Sequence, residues 1–169
     1  MSHLVIITFI TYVMTSIENK NGSNYDMLGN LMKAVYHDIP EAITWDIITP
    51  TKKAVPGFAE VLEKAEISMM NDYFFSYVSA EYKDEIFDFM LNPFHWDIGK
   101  FVKHADIISA LLEAKIELNN GWNNFEDICM RLKKHLNSLN LKSVDYFLKD
   151  WLDSFDSKGN SDVHLAGLD

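Results

Sequence analysis

Ala34-Val35-Tyr36-His37-Asp38-Ile39-Pro40-Glu41-Ala42-Ile43-Thr44-Trp45-Asp46 sets an imidazole beside a carboxylate, then a proline, then two further carboxylates. Such a group can hold a divalent cation and still leave acids free for proton transfer. Adjacent side chains diverge by roughly 100° on an ideal helix, so His37 and Asp38 converge on one ion only where a helix ends. Pro40 predicts that ending, because the residue before a proline is pushed out of the α region. The chemistry is therefore expected at a helix C-terminus, with the ion inside a helical bundle. A His-Asp dipeptide means little alone; distant partners decide it.

The composition suits that setting. In 169 residues nearly half are apolar, and only seven glycines and four prolines interrupt the chain, which favours a folded, helical protein over disorder. A length of this order predicts one domain, 1–156, with a loosely held polar tail at 157–169. The formal net charge of −10 argues against duplex nucleic acid or an anionic membrane as partner, since both need a basic footprint. It leaves room for a small phosphorylated substrate, because a bound cation supplies positive charge locally. Cys129 stands alone, so no disulfide framework is expected and a reducing, cytoplasmic setting is. The apolar stretch Leu4 to Met14 is short for a bilayer span and carries Thr8 and Thr11. It reads as a buried helix.

Helical patterning continues along the chain, and the class is all-α. Helices are expected over 3–19, 25–36, a short piece after Pro40, and a long segment from Pro56 through the aromatic cluster of Met69 to Tyr77. Others follow at 83–91, 98–118, 124–139 and 143–155. Met27, Leu28, Leu31, Met32 and Val35 form the apolar face of the second helix. Asp46 to Val55 reads as a loop, Tyr73-Phe74-Phe75 as core, and Ser143 as an N-cap.

Two residues qualify to complete a metal site. His3 opens the first helix. Asp106 lies mid-helix among Phe101, Ala105 and Ile108, where an unpaired carboxylate is costly. A neighbouring hydroxyl or lysine would serve Asp106 equally well. Two imidazoles and two carboxylates suit Mn, Fe, Co or Zn better than Mg or Ca.

With the runs His37-Asp38-Ile39-Pro40-Glu41, Thr44-Trp45-Asp46, Thr49-Pro50-Thr51-Lys52 and Lys103-His104-Ala105-Asp106-Ile107-Ile108-Ser109-Ala110-Leu111-Leu112-Glu113-Ala114, the chain resembles the HD-domain metal-dependent phosphohydrolases. Within them it is similar to the bacterial 5'-deoxynucleotidase branch, over roughly residues 1–120. Separations of 34 residues from His3 to His37 and 68 from Asp38 to Asp106 suit that branch. The resemblance implies an HD-domain helical bundle and makes His3, His37, Asp38 and Asp106 the ligands of a divalent transition metal. It makes Glu41 and Asp46 the catalytic acids, without dividing their roles. The implied reaction hydrolyses a deoxyribonucleoside 5'-monophosphate to nucleoside and phosphate; a homodimer is implied too, with its contact on the faces of the last two helices unless these pack on their own domain. Related readings keep the site but take another nucleotide or an alarmone, or leave an incomplete, non-catalytic nucleotide-binding protein.

Three departures from the family pattern accompany the match. An Arg-Trp pair that the family carries upstream of its first histidine is absent, because the chain starts too late to hold it; a truncated form or a weakened site is the expectation. Trp45 replaces a glycine and would either crowd the pocket or stack on a base. Ile48 replaces a proline. Several residues have plain alternatives: Glu41 as a first-turn acid favoured by the helix dipole, Asp46 as a loop residue, and Lys52, Lys53 and Lys103 as solvated cations. His95, His104, His135 and His164 are expected to take no catalytic part.

Overall fold

Helix follows helix from His3 onward. The computed structural model describes residues 3–45, 47 and 49–152, without the side chains of 49, 50, 53 and 96–98. Its elements are α1 (His3–Lys20), α2 (Met27–Tyr36), α3 (Ile39–Thr44), α4 (Thr49–Ala54), α5 (Phe58–Tyr73), α6 (Ala80–Leu91), α7 (Trp96–Asn119), α8 (Glu126–Asn137) and α9 (Lys142–Tyr146), the last running into a π-helical turn at Phe147–Trp151. No strand occurs among the described residues. The polar tail at 157–169 lies outside them.

Two apolar clusters organise these helices. In the larger, α1, α2, α7, α8 and α9 enclose Ile7, Ile10, Met14, Phe101, Ile108 and Leu136, all fully buried. Burying each such side chain is worth about 1.5–3 kcal/mol, so this cluster anchors the helix ends that meet at the site. The smaller cluster packs Met70, Phe75 and Met90 from α5, the short turn after it and α6 against Tyr36, Ile39 and Ile43. It braces the α2–α3 junction from the other side. α1 and α7 end in turns where Gly22 (φ 99°) and Gly121 (φ 94°) adopt left-handed backbone, which glycine tolerates without a Cβ clash.

Buried polar groups tie the layers together. The Glu18 carboxylate accepts from the Ser143 N–H (2.8 Å) and hydroxyl (2.7 Å), joining α1 to α9. Lys33, almost fully buried, donates to the Asn92 carbonyl (2.6 Å) and pairs with Asp88 (3.0 Å), joining α2 to α6. An unpaired ammonium there would cost several kcal/mol.

The structure corrects four expectations. Residues 49–54 form helix α4 rather than loop, with Pro50 in the first turn, where its missing N–H costs nothing. Ser143 is no cap: Leu141 holds that position, and the Ser143 hydroxyl serves Glu18. Of the aromatic run, Phe75 is buried, but Tyr73 is 67% exposed at the end of α5.

The stripe on α2 is turned outward. Gly29, Asn30, Lys33 and Ala34 are buried, whereas Leu28 is 68% exposed and Val35 is also exposed. Small residues let α2 approach α1 and α7 closely, and Leu31 and Val35 line an open groove of about 520 Å³ with Leu4, Val5, Phe9 and Tyr12 of α1.

Candidate metal centre

The mutual packing of α1, α2 and α7 gathers three distant pieces of sequence. His3 begins α1, His37 caps the C-terminus of α2, Asp38 caps the N-terminus of α3, and Asp106 projects from α7. The break between α2 and α3 falls at Asp38 (φ −99°, ψ 0°), one residue ahead of the place expected from Pro40. That bend lets adjacent residues face one point.

Three of the four predicted ligands form one group, and Asp106 adjoins it through His3. Donor atoms of His3, His37 and Asp38 lie within 4.8 Å of one another. His3 Nε2 is 3.8 Å from Asp38 Oδ2 and 3.4 Å from Asp106 Oδ1. Ligands sharing one ion at bonds of about 2.1 Å stand roughly 3–4 Å apart, a spacing that the His3–Asp38 and His3–Asp106 separations match.

His37 supplies the clearest test of fit. Its Nδ1 lies 2.7 Å from the Ala34 carbonyl oxygen, an acceptor only, so Nδ1–H donates and Nε2 carries the lone pair. Nε2 is buried and makes no aligned hydrogen bond; Asp38 Oδ1 approaches it to 2.9 Å. A neutral imidazole nitrogen left so would cost roughly 1–3 kcal/mol. A cation removes that cost, and the N₂O₂ donor set fits a borderline divalent ion.

Without an ion the same groups attract protons. Burial alone would lower the His37 pKa, but Asp38, the Ala34 carbonyl and Asp106 outweigh it and hold the value above the ordinary one. Burial raises the Asp106 carboxyl, and the opposing pull of His3 and His37 does not cancel it. Asp38 is held below the usual range: burial pushes upward, but its contact with His37 and the charges of His37 and His3 prevail. These are sites where positive charge is wanted.

A cleft of about 580 Å³ opens over this cluster, lined by His3, His37, Asp38, Glu41, Ile47, Lys52, Phe94, Asp106 and Glu113. Glu41 enters it from the first turn of α3. Asp46, the second expected acid, lies outside the described residues. Lys52 faces the cleft, whereas Lys103 is exposed and does not line it. Trp45 leaves the cleft uncrowded and is 84% exposed. His95 caps α7 and, like His104 and His135, is absent from the lining.

Four site residues escaped the sequence reading. Ser109 Oγ (3.4 Å) and Glu113 Oε1 (3.7 Å) both approach His3 Nδ1. They stand three and seven residues after Asp106, on one helical stripe, and that spacing was the available signal. Phe94 presents its ring to His37 at 6.3 Å and 61°. Ile47 reaches the cleft from the segment after α3, where no pattern marks it.

The sequence model described as "5'-deoxynucleotidase YfbR-like" matches residues 1–155. A 5'-deoxynucleotidase of Vibrio atlanticus is 28% identical over 91% of this chain and 80% of its own. One of Yersinia pestis is 27% identical over 99% and 85%. Among solved structures, an HD-domain phosphohydrolase of Listeria innocua superposes with a TM-score of 0.77 at 25% identity, covering 93% of this chain and 77% of the other.

Proposed function

This chain belongs to the 5'-deoxynucleotidase YfbR-like family, and from that premise we propose that it hydrolyses deoxyribonucleoside 5'-monophosphates. The observation that supports the reading is the clustering of His3, His37 and Asp38, with Asp106 against His3 and Glu41 lining the same cleft. Water adds to phosphorus, the bond from phosphorus to the 5'-oxygen breaks, and that oxygen takes a proton; the products are deoxynucleoside and inorganic phosphate.

His3, His37, Asp38 and Asp106 hold the cation, with manganese or cobalt the ions to try first, then iron and zinc. When bound, the ion supplies Lewis acidity and local positive charge to the phosphoryl group. The chain's own residues do the rest. The Ala34 carbonyl fixes the His37 tautomer. Glu41 and Asp46 share the proton transfers, one orienting water and taking its proton, the other serving the leaving oxygen. Lys52 faces the phosphate across the cleft. Phe94 and Ile47 are the two apolar residues of the cleft lining.

The setting is cytoplasmic, and among the described residues no helix is long and apolar enough to cross a membrane. The assembly is a homodimer. Its contact is assigned to the open apolar face of Val5, Phe9, Tyr12, Leu28 and Val35, each at least a third exposed and none charged. Light scattering of a Phe9→Asp variant tests this, since a dimer of unchanged mass would exclude that face.

Phosphate release from a panel of nucleoside monophosphates, with and without Mn²⁺ or Co²⁺, tests the activity. Turnover of the deoxy substrates that requires added ion is expected. Equal rates in ion and in chelator would refute it.

A further inference from the structure

Trp45 stands where α3 ends, with φ 65° and ψ 150°. That backbone conformation is essentially confined to glycine, because a Cβ crowds the neighbouring peptide, and a bulky residue is held there against its preference. No packing explains it: the residue is 84% exposed. Its backbone N–H donates to the Glu41 carbonyl at 2.9 Å. Strain kept without burial is a reason to look for a ligand.

The neighbours say which ligand. Glu41, four residues before, and Ile47, two residues after, both line the cleft above the carboxylate-imidazole cluster. Trp45 lies between these two in the chain, itself outside the lining of the cleft and open to solvent. A nucleoside monophosphate with its phosphate on the cluster carries its base outward past the sugar, toward the rim. Indole is the largest π-face among the side chains, and stacking tolerates any base.

We infer that Trp45 is a binding residue that stacks on the nucleobase of the substrate, so that the chain recognises nucleotides over simple sugar phosphates. The inference rests on the phosphohydrolase reading and deepens it. An exposed indole moved over a bound base exchanges two wetted apolar faces for one contact, and the effect appears in KM rather than in the chemical step.

Steady-state kinetics with Mn²⁺ test it, using the unaltered chain, Trp45→Gly and Trp45→Phe on deoxyadenosine 5'-monophosphate and on 2-deoxyribose 5-phosphate, which lacks a base. Trp45→Gly is expected to raise KM for the nucleotide about tenfold, with a smaller change in kcat and none in KM for the sugar phosphate. Trp45→Phe should recover most of the loss. The thermal midpoint of Trp45→Gly should rise, since glycine accepts the backbone angles; a structural role would lower it. Equal KM in unaltered chain and Trp45→Gly, or equal shifts on both substrates, would overturn the stacking while leaving the hydrolase reading intact. Absence of turnover by the unaltered chain would overturn that reading, and the inference with it.

Discussion

His3 Nε2 lies 3.4 Å from Asp106 Oδ1, across the packed faces of α1 and α7. The contact joins the first described residue of the chain to the middle of its longest helix, and it closes the ring begun by His37 and Asp38. Asp106→Asn preserves size and removes the charge. Phosphate release is expected to fall more than about 100-fold, beyond the usual effect of altering a residue that supports a ligand, while the thermal midpoint of the ion-free protein holds or rises. Retained turnover would remove Asp106 from the site.

Glu113 acts one step further out. Its carboxylate lies 3.7 Å from His3 Nδ1 and favours the tautomer whose Nε2 faces Asp38 and Asp106. Glu113→Gln should weaken Mn²⁺ binding about tenfold, read by calorimetric titration, with the helix content unchanged. Unaltered affinity would make Glu113 a bystander.

Gly99 keeps the wall of the cleft in place. A Cβ there would stand 2.7 Å from the Phe94 carbonyl carbon and 2.8 Å from its Cα, backbone that cannot swing aside. Gly99→Ala is expected to cost about 1–3 kcal/mol of stability, measured by urea unfolding. Turnover should fall as well, since Phe94 presents its ring to His37.

Acid sensitivity has a local source in His104. Burial, with Lys100, His135 and Lys103 adding to it, pushes this imidazole from 6.5 down to about 4. Between those values the unfolded chain holds the proton and the folded chain does not, so stability falls as pH drops through the window. Above 6.5 the contribution is complete. Urea midpoints at pH 7.5 and 5.0 should therefore drop less in His104→Gln than in the unaltered protein; equal drops would place the acid sensitivity elsewhere.

Much of this was legible in the sequence where local rules govern. The junction at His37-Asp38 is signalled by adjacency and Pro40, and the class by the helical spacing of apolar residues. Burial was harder. The stripe Leu28, Leu31, Val35 has helical period, yet period does not say which neighbour it faces, and α2 instead buries its small residues and Lys33. α4 has too few apolar positions to show a period. Ser143 looked like a cap because caps are local, whereas its partner Glu18 lies at the far end of the chain. Glu113 carries no local mark, because one carboxylate two turns from another reads as solvent-facing until the fold brings His3 beside both.

Manganese uptake by the chelator-treated protein, followed by electron paramagnetic resonance, addresses the four-residue centre most directly. One tightly held ion per chain is expected in the unaltered protein and none at the same concentration in Asp38→Asn, His37→Gln or Asp106→Asn. Equal uptake by all four proteins would contradict it.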